Sequence, residues 1–325
     1  MIGIIGGGVW GSALAKLFSN EDILIYARDK KITDSINEHH FNPHLKYAIF
    51  NENVSATNSL EEVSKKEFIF IAIPSQNIRS VFETPCFKEN DSNYIIASKG
   101  IEIESSLFLS DLINNLTNFK SISVLSGPCF SDEVARNLPT AVTFASENYE
   151  VFKIISSFLK DKSFRMYFSE DIIGCQIGGA LKNIYAIAAG ISNGLNLGEN
   201  ARSALITRSF VELGRFANYF NAKKETIFGL SGLGDLMLTC NSSKSRNTNF
   251  GMKIANTKNE NYEDILNSQQ ITEGYYTVKA VKLISDKNNI DMPIMNSVYN
   301  ILYKHHDIKS EISELMNRPL TEEKF

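Results

Sequence analysis

One stretch constrains this chain more than any other: from Ile172 to Gly198 it carries a single charged side chain, Lys182. The centre, Ile177-Gly-Gly-Ala-Leu-Lys-Asn-Ile-Tyr-Ala-Ile-Ala-Ala-Gly-Ile191, is apolar enough for a helix buried on all sides. At helical spacing the neighbours of Lys182 are Cys175, Gly178, Gly179, Ala186 and Ala189. They are small, so this face is expected to leave room for something to lie against the amine. A membrane span is disfavoured. Lys182 and Asn183 fall mid-segment, where a lysine costs about 2.5–3.5 kcal/mol, and six glycines thin the apolar content. Two readings of the lysine stay open: an amine paired with a structural carboxylate, or a desolvated amine put to chemical use.

The length, 325 residues, suggests about two domains, and the 43% hydrophobic and 22% charged fractions fit a soluble globular chain. A net charge of −4 gives no electrostatic reason to expect nucleic acid or an acidic membrane as partner. Cys86, Cys129, Cys175 and Cys240 lie far apart with no Cys-x-x-Cys, so neither a metal site nor a disulfide framework is expected. Reduced thiols and the lack of a basic leader before Ile2-Gly-Ile-Ile point to a cytoplasmic protein without membrane insertion.

The first half reads as strands alternating with helices. Ile2–Ile5 is a strand that runs into Gly6-Gly-Gly-Val-Trp-Gly11 and then a helical pattern from Ser12 to Phe18. Glycines at 6, 8 and 11 between strand and helix form a dinucleotide fingerprint. Gly6 permits the tight turn, Gly8 admits the pyrophosphate, and Gly11 lets helix and strand pack closely. The helix N-terminus then offers unpaired N–H groups to phosphate. The second strand, Ile23–Ala27, ends in Arg28-Asp29. An arginine there suits a 2′-phosphate and leans towards NADPH, whereas Asp29 suits the ribose hydroxyls of NADH. Further strands are expected at 54–57, 68–73, 94–97, 122–125, 141–145 and 165–168, in a mostly parallel sheet. Pro74–Gln76, Lys99 and Gly127–Cys129 follow strand ends, at the edge where such sheets bind ligands.

From residue 170 onward the pattern is helical, and the expected division is a Rossmann-like α/β domain over 1–168 and an all-α substrate domain over 169–325. Gly229–Cys240 places Asp235 in a glycine-rich turn, where a helix cap is its plain structural role. Ser245-Arg-Asn247 before a probable helix from Thr248 to Ala255 brings a hydroxyl, a guanidinium and an amide to a helix start, the makings of a phosphate cradle. A solvated polar loop is the competing explanation. The many apolar helical faces of this half make a homodimer plausible.

Taken together, Gly6–Gly11, Ile73-Pro-Ser-Gln76, Lys99-Gly100, Ser126-Gly-Pro-Cys-Phe-Ser-Asp-Glu133, Pro139-Thr-Ala141, Ala180-Leu-Lys-Asn183, Gly232–Cys240 and Ser245-Arg-Asn247 resemble the bacterial NAD(P)-dependent glycerol-3-phosphate dehydrogenases. The resemblance implies hydride transfer between NADPH or NADH and dihydroxyacetone phosphate, giving sn-glycerol 3-phosphate for phospholipid synthesis. It implies Lys182 as general acid/base, with Lys99 and Asp235 beside it and Asn183 helping to polarise the carbonyl. Gly127, Cys129, Asp235, Ser245, Arg246 and Asn247 would hold the substrate. Gly6, Gly8, Val9, Trp10, Gly11, Arg28, Lys99, Ser131, Arg246, Ile271 and Glu273 would touch the cofactor. Cys129 stands where the family has serine or threonine and Ser131 where it has alanine; a thiol is the weaker hydrogen-bonding group. Another two-domain dehydrogenase, of the 3-hydroxyacid or 6-phosphogluconate kind, is the nearest rival. A non-catalytic dinucleotide-binding sensor is a more distant one.

Overall fold

A computed structural model describes residues 2–160, 162–257, 262, 272–319 and 322. The chain groups into two units, Met1–Ser98 with Leu109–Ile172, and Lys99–Phe108 with Ile173–Phe325. This differs from a single cut after residue 168 in giving the Lys99–Phe108 excursion to the helical unit. The reason is local: Ile101 and Phe108 pair in an isolated bridge and bury their side chains in the helical core.

The first unit is built on one eight-stranded sheet. Its strands are β1 (Ile2–Ile5), β2 (Ile23–Tyr26), β3 (Val54–Thr57), β4 (Phe68–Ile71), β5 (Asn93–Ile96), β6 (Ser121–Ser126), β7 (Thr140–Ser146) and β8 (Phe164–Ser169). Their order is β3-β2-β1-β4-β5-β6-β7-β8. Every residue of β1, β4 and β5 is buried, as expected for central strands covered on both faces. The order reverses between β1 and β4, and a reversal of this kind opens a crevice beyond the strand ends. Register places Ile5 level with Ile71, so the glycine turn after β1 emerges beside the loop after β4.

One pair departs from the parallel pattern: β7 runs antiparallel to β6, with Ser126 opposite Thr143. The segment between them has only a five-residue helix, Ser131–Ala135, and returns to the edge it left. Both of its ends therefore stay at the carboxyl edge of β6.

In the second unit the Ile172–Gly194 helix is buried without interruption from Gly174 to Ser192. By length and composition it would cross a membrane, but 89% of its most apolar window is buried inside the protein. The Glu199–Tyr219, Glu273–Asn288 and Pro293–Lys304 helices supply most of the apolar side chains around it. The small residues of this helix do leave room, and backbone from other segments takes it up. A Cβ on Gly178 would lie 2.2 Å from the Ser231 carbonyl oxygen, and one on Gly190 would lie 2.0 Å from that of Thr248. The protein's own backbone fills the space, and glycine is there to let it approach.

Candidate active site

The fingerprint loop forms as its spacing requires. Gly6 adopts φ 130°, and a Cβ there would meet the Ala72 carbonyl oxygen at 2.5 Å. Gly11, in the Val9–Leu17 helix, lies so close to the turn that a Cβ would fall 1.9 Å from the Gly6 carbonyl oxygen. Gly8 is the opposite case: nothing stands within 4 Å of where its Cβ would be. That clear approach at a helix N-terminus fits a pyrophosphate. Buried Asn42 pins the loop, its amide donating to the Gly7 carbonyl at 2.9 Å and the Ser12 hydroxyl at 2.6 Å. Trp10 ties it to β5 by donating its indole N–H to the Ala97 carbonyl at 3.0 Å.

The other residues expected to touch the cofactor from this unit are spread along the same chain region. The Val9–Leu17 helix packs on Ser131–Ala135, which brings Val9, Trp10 and Ser131 onto neighbouring elements. Arg28 is exposed after β2. Asp29 caps the Lys30–His39 helix, accepting from the Lys31 N–H at 2.9 Å. Gly127 adopts φ 149° against the Val142 backbone, and the Cys129 thiol donates to the Gly127 carbonyl at 3.3 Å. Ile271 lies outside the described residues.

The second unit holds a cluster of largely buried charged groups at Asp235. Asp235, fully buried, accepts from Lys182 Nζ on Oδ1 and from Lys99 Nζ on Oδ2, both at 2.6 Å. Asp235 thus does not cap a helix. It is the first residue of the Asp235–Asn241 helix, reached through a wide π-type turn at Leu230–Gly234, and its carboxylate serves the two lysines. The lysine side chains are 9% and 15% exposed. The buried lysine is therefore paired, but its carboxylate is shared.

Thr239 completes the cluster and was not singled out in the sequence. It accepts from Lys182 Nζ at 2.9 Å and donates to the Asp235 carbonyl at 2.7 Å. The signal was present: residues 235 and 239 are one helical turn apart, on one face. Nearby, Cys240 is buried and inert, its thiol pushed up to about 12 by burial, with Lys182 opposing and Asp235 adding to the effect.

Around the next helix the Ser245 hydroxyl accepts the Thr248 N–H at 3.2 Å, capping Arg246–Asn256. Burial lowers the pKa of the Arg246 guanidinium, while Glu273 raises it. Arg246 is nonetheless exposed on the first turn of that helix, where a guanidinium and a helix N-terminus can together receive an anion. The Asn247 amide donates to Asn183 Oδ1 at 2.9 Å, so these two expected substrate contacts are bonded to each other.

Sheet order and glycine turn define a Rossmann-type dinucleotide-binding protein with a helical partner unit. Models of the NAD-dependent glycerol-3-phosphate dehydrogenase N-terminus and C-terminus match residues 1–152 and 171–313. A glycerol-3-phosphate dehydrogenase [NAD(P)+] of Zymomonas mobilis is 40% identical over 98% of this chain and 93% of its own length. One from a Thermotoga strain is 41% identical over 98% of both. The crystal structure of glycerol-3-phosphate dehydrogenase from Coxiella burnetii superposes with a TM-score of 0.90 at 34% identity, over 98% of each chain. The chain belongs to the NAD(P)-dependent glycerol-3-phosphate dehydrogenase family and is an oxidoreductase.

Proposed function

We propose that the protein interconverts dihydroxyacetone phosphate and sn-glycerol 3-phosphate, with Lys182 as general acid in reduction and general base in oxidation. The observation that carries this reading is the Asp235 carboxylate shared between Lys182 and Lys99. An isolated structural pair needs one lysine, whereas here a second amine stands at the same carboxylate, close enough to act with Lys182 on a developing alkoxide. Residues 1–168 would serve the dinucleotide and 169–325 the substrate.

Bound NADPH or NADH supplies the hydride that adds to the carbonyl carbon. Lys182 gives its proton to the oxygen as negative charge gathers there, and the resulting neutral amine regains a proton from water. Thr239 and Asp235 hold Nζ in place, and Lys99 adds an electrostatic contribution. Arg246 and the helix it opens hold the phosphate, with Ser245 shaping that turn. Gly127 and Cys129 would line the substrate, though the thiol's bond to its own loop makes Cys129 a weak contact. Engagement of Asp29 as a helix cap, beside Arg28, favours NADPH over NADH. The reaction takes place in the cytoplasm and supplies phospholipid synthesis.

Lys182→Ala tests the assignment. Turnover should fall about 10²–10⁴-fold, the range for a lost acid/base group, with NADPH affinity retained. Near-normal turnover would remove the lysine from the mechanism.

A further inference from the structure

Gly274, second residue of the Glu273–Asn288 helix, donates its backbone N–H to Asn247 Oδ1 at 2.9 Å. A backbone N–H can only donate, so this bond fixes which way the Asn247 amide faces. Its NH₂ is turned to Asn183, whose Oδ1 accepts it at 2.9 Å. The Asn183 oxygen is thereby engaged, and its own NH₂ must face the other way. One of those hydrogens reaches the Gly179 carbonyl at 3.3 Å, a long bond within the helix. No bond from the second to another described residue is seen. Asn183 and Asn247 are 5% and 8% exposed, so little water competes for these bonds.

We propose that Gly274 and Asn247 are positioning residues that set the polarity of Asn183, making it offer an N–H and not a carbonyl oxygen to the reacting oxygen beside Lys182. This rests on the reading that ketone reduction occurs at Lys182. An amide turned by half a revolution has nearly the same shape, so packing alone discriminates poorly between its two settings. Here an obligatory donor at the end of the chain decides it. The wrong setting would place a lone pair against a developing alkoxide. Position 274 admits no side chain: a Cβ would lie 2.5 Å from the Asn183 carbonyl oxygen and 2.8 Å from Asn247 Oδ1.

The test is Asn247→Asp, alone and combined with Asn183→Ala. A carboxylate still accepts from Gly274 but cannot donate to Asn183, which then turns its NH₂ inward and its oxygen outward. With dihydroxyacetone phosphate, kcat should fall on the order of 10²-fold, as for loss of one preorganised donor, with NADPH binding intact. In the Asn183→Ala background the same substitution should cost nothing further, because the group it acts through is gone. A loss that persists in full in that background, or a rise in KM alone, overturns the proposal. Should Asn247→Asp fail to fold, Asn247→Ala, which leaves the Asn183 amide without the donor that sets it, is put through the same cycle and judged by the same outcomes. Wild-type protein that reduces no dihydroxyacetone phosphate overturns the parent reading and this one with it.

Discussion

Replacing Asp235 by asparagine removes one negative charge from beneath two ammoniums. Each now bonds a carboxylate oxygen at 2.6 Å. Hydrogen bonds to a charged group contribute roughly 1.5–3 kcal/mol and neutral ones roughly 0.5–1.5 kcal/mol, so each bond weakens by about 1–1.5 kcal/mol. Asparagine also has one oxygen where aspartate has two, which leaves one lysine facing an NH₂. Since the lysine side chains are 9% and 15% exposed, water compensates little. The sum is about 3 kcal/mol, the lower end of the 3–5 kcal/mol for breaking a buried pair. For a unit of this size that is a fall in Tm of about 6–12 °C, at about 2–4 °C per kcal/mol. Thermal melts at neutral pH, followed by circular dichroism, measure it. In a Lys99→Met background the same substitution should cost less, because one of the two stranded charges is gone. A shift under about 2 °C, or less than 1 kcal/mol on that scale, would refute the view that this carboxylate anchors both lysines.

Two further predictions concern other parts of the molecule. Arg28→Ala should erode the preference for NADPH over NADH, measured as the ratio of kcat/KM values; an unchanged ratio makes Arg28 a solvated surface charge. Glu212 is 2% exposed and accepts the N–H groups of Ile294 and Met295 at 2.6 and 3.2 Å. Burial pushes its carboxyl up from 4.5 to about 7, against those two bonds and Arg215, which pull it down. The folded state then holds this proton more tightly than the unfolded chain does. Its contribution is fully present below pH 4.5 and is lost as pH rises through about 7, a change of about 3 kcal/mol at 1.36 kcal/mol per unit. Glu212→Gln should flatten denaturant-measured stability between about pH 5 and about pH 8; a variant with the wild-type slope overturns the assignment.

Much of this architecture was legible because it depends on local chemistry. Unbroken apolar runs such as Phe68–Ile71 announce central strands, and glycines at 6, 8 and 11 answer to a turn, an open approach and a tight packing contact. The uncharged run around Lys182 announced a buried helix, and it is one. What escaped depends on contacts distant in sequence. Small residues near Lys182 look alike whether they border a ligand or a backbone, and only tertiary packing brings the Ser231 carbonyl onto Gly178. The reversal of β7 has no mark in its own alternation, because a strand's side-chain period is the same in either direction. The pairing of Lys99 with Asp235 spans 136 residues and neither local pattern names the other, so only the family resemblance set them side by side. Nothing in the sequence marks Gly274; its role lies wholly in what its N–H reaches.

Trp10 is the only tryptophan in the chain, and its indole bridges the glycine turn to the end of β5. All indole emission from this protein therefore originates at one seam. Opening or tightening of that seam alters the colour and quenching of a built-in chromophore, so the nucleotide loop can be followed optically in the unlabelled molecule.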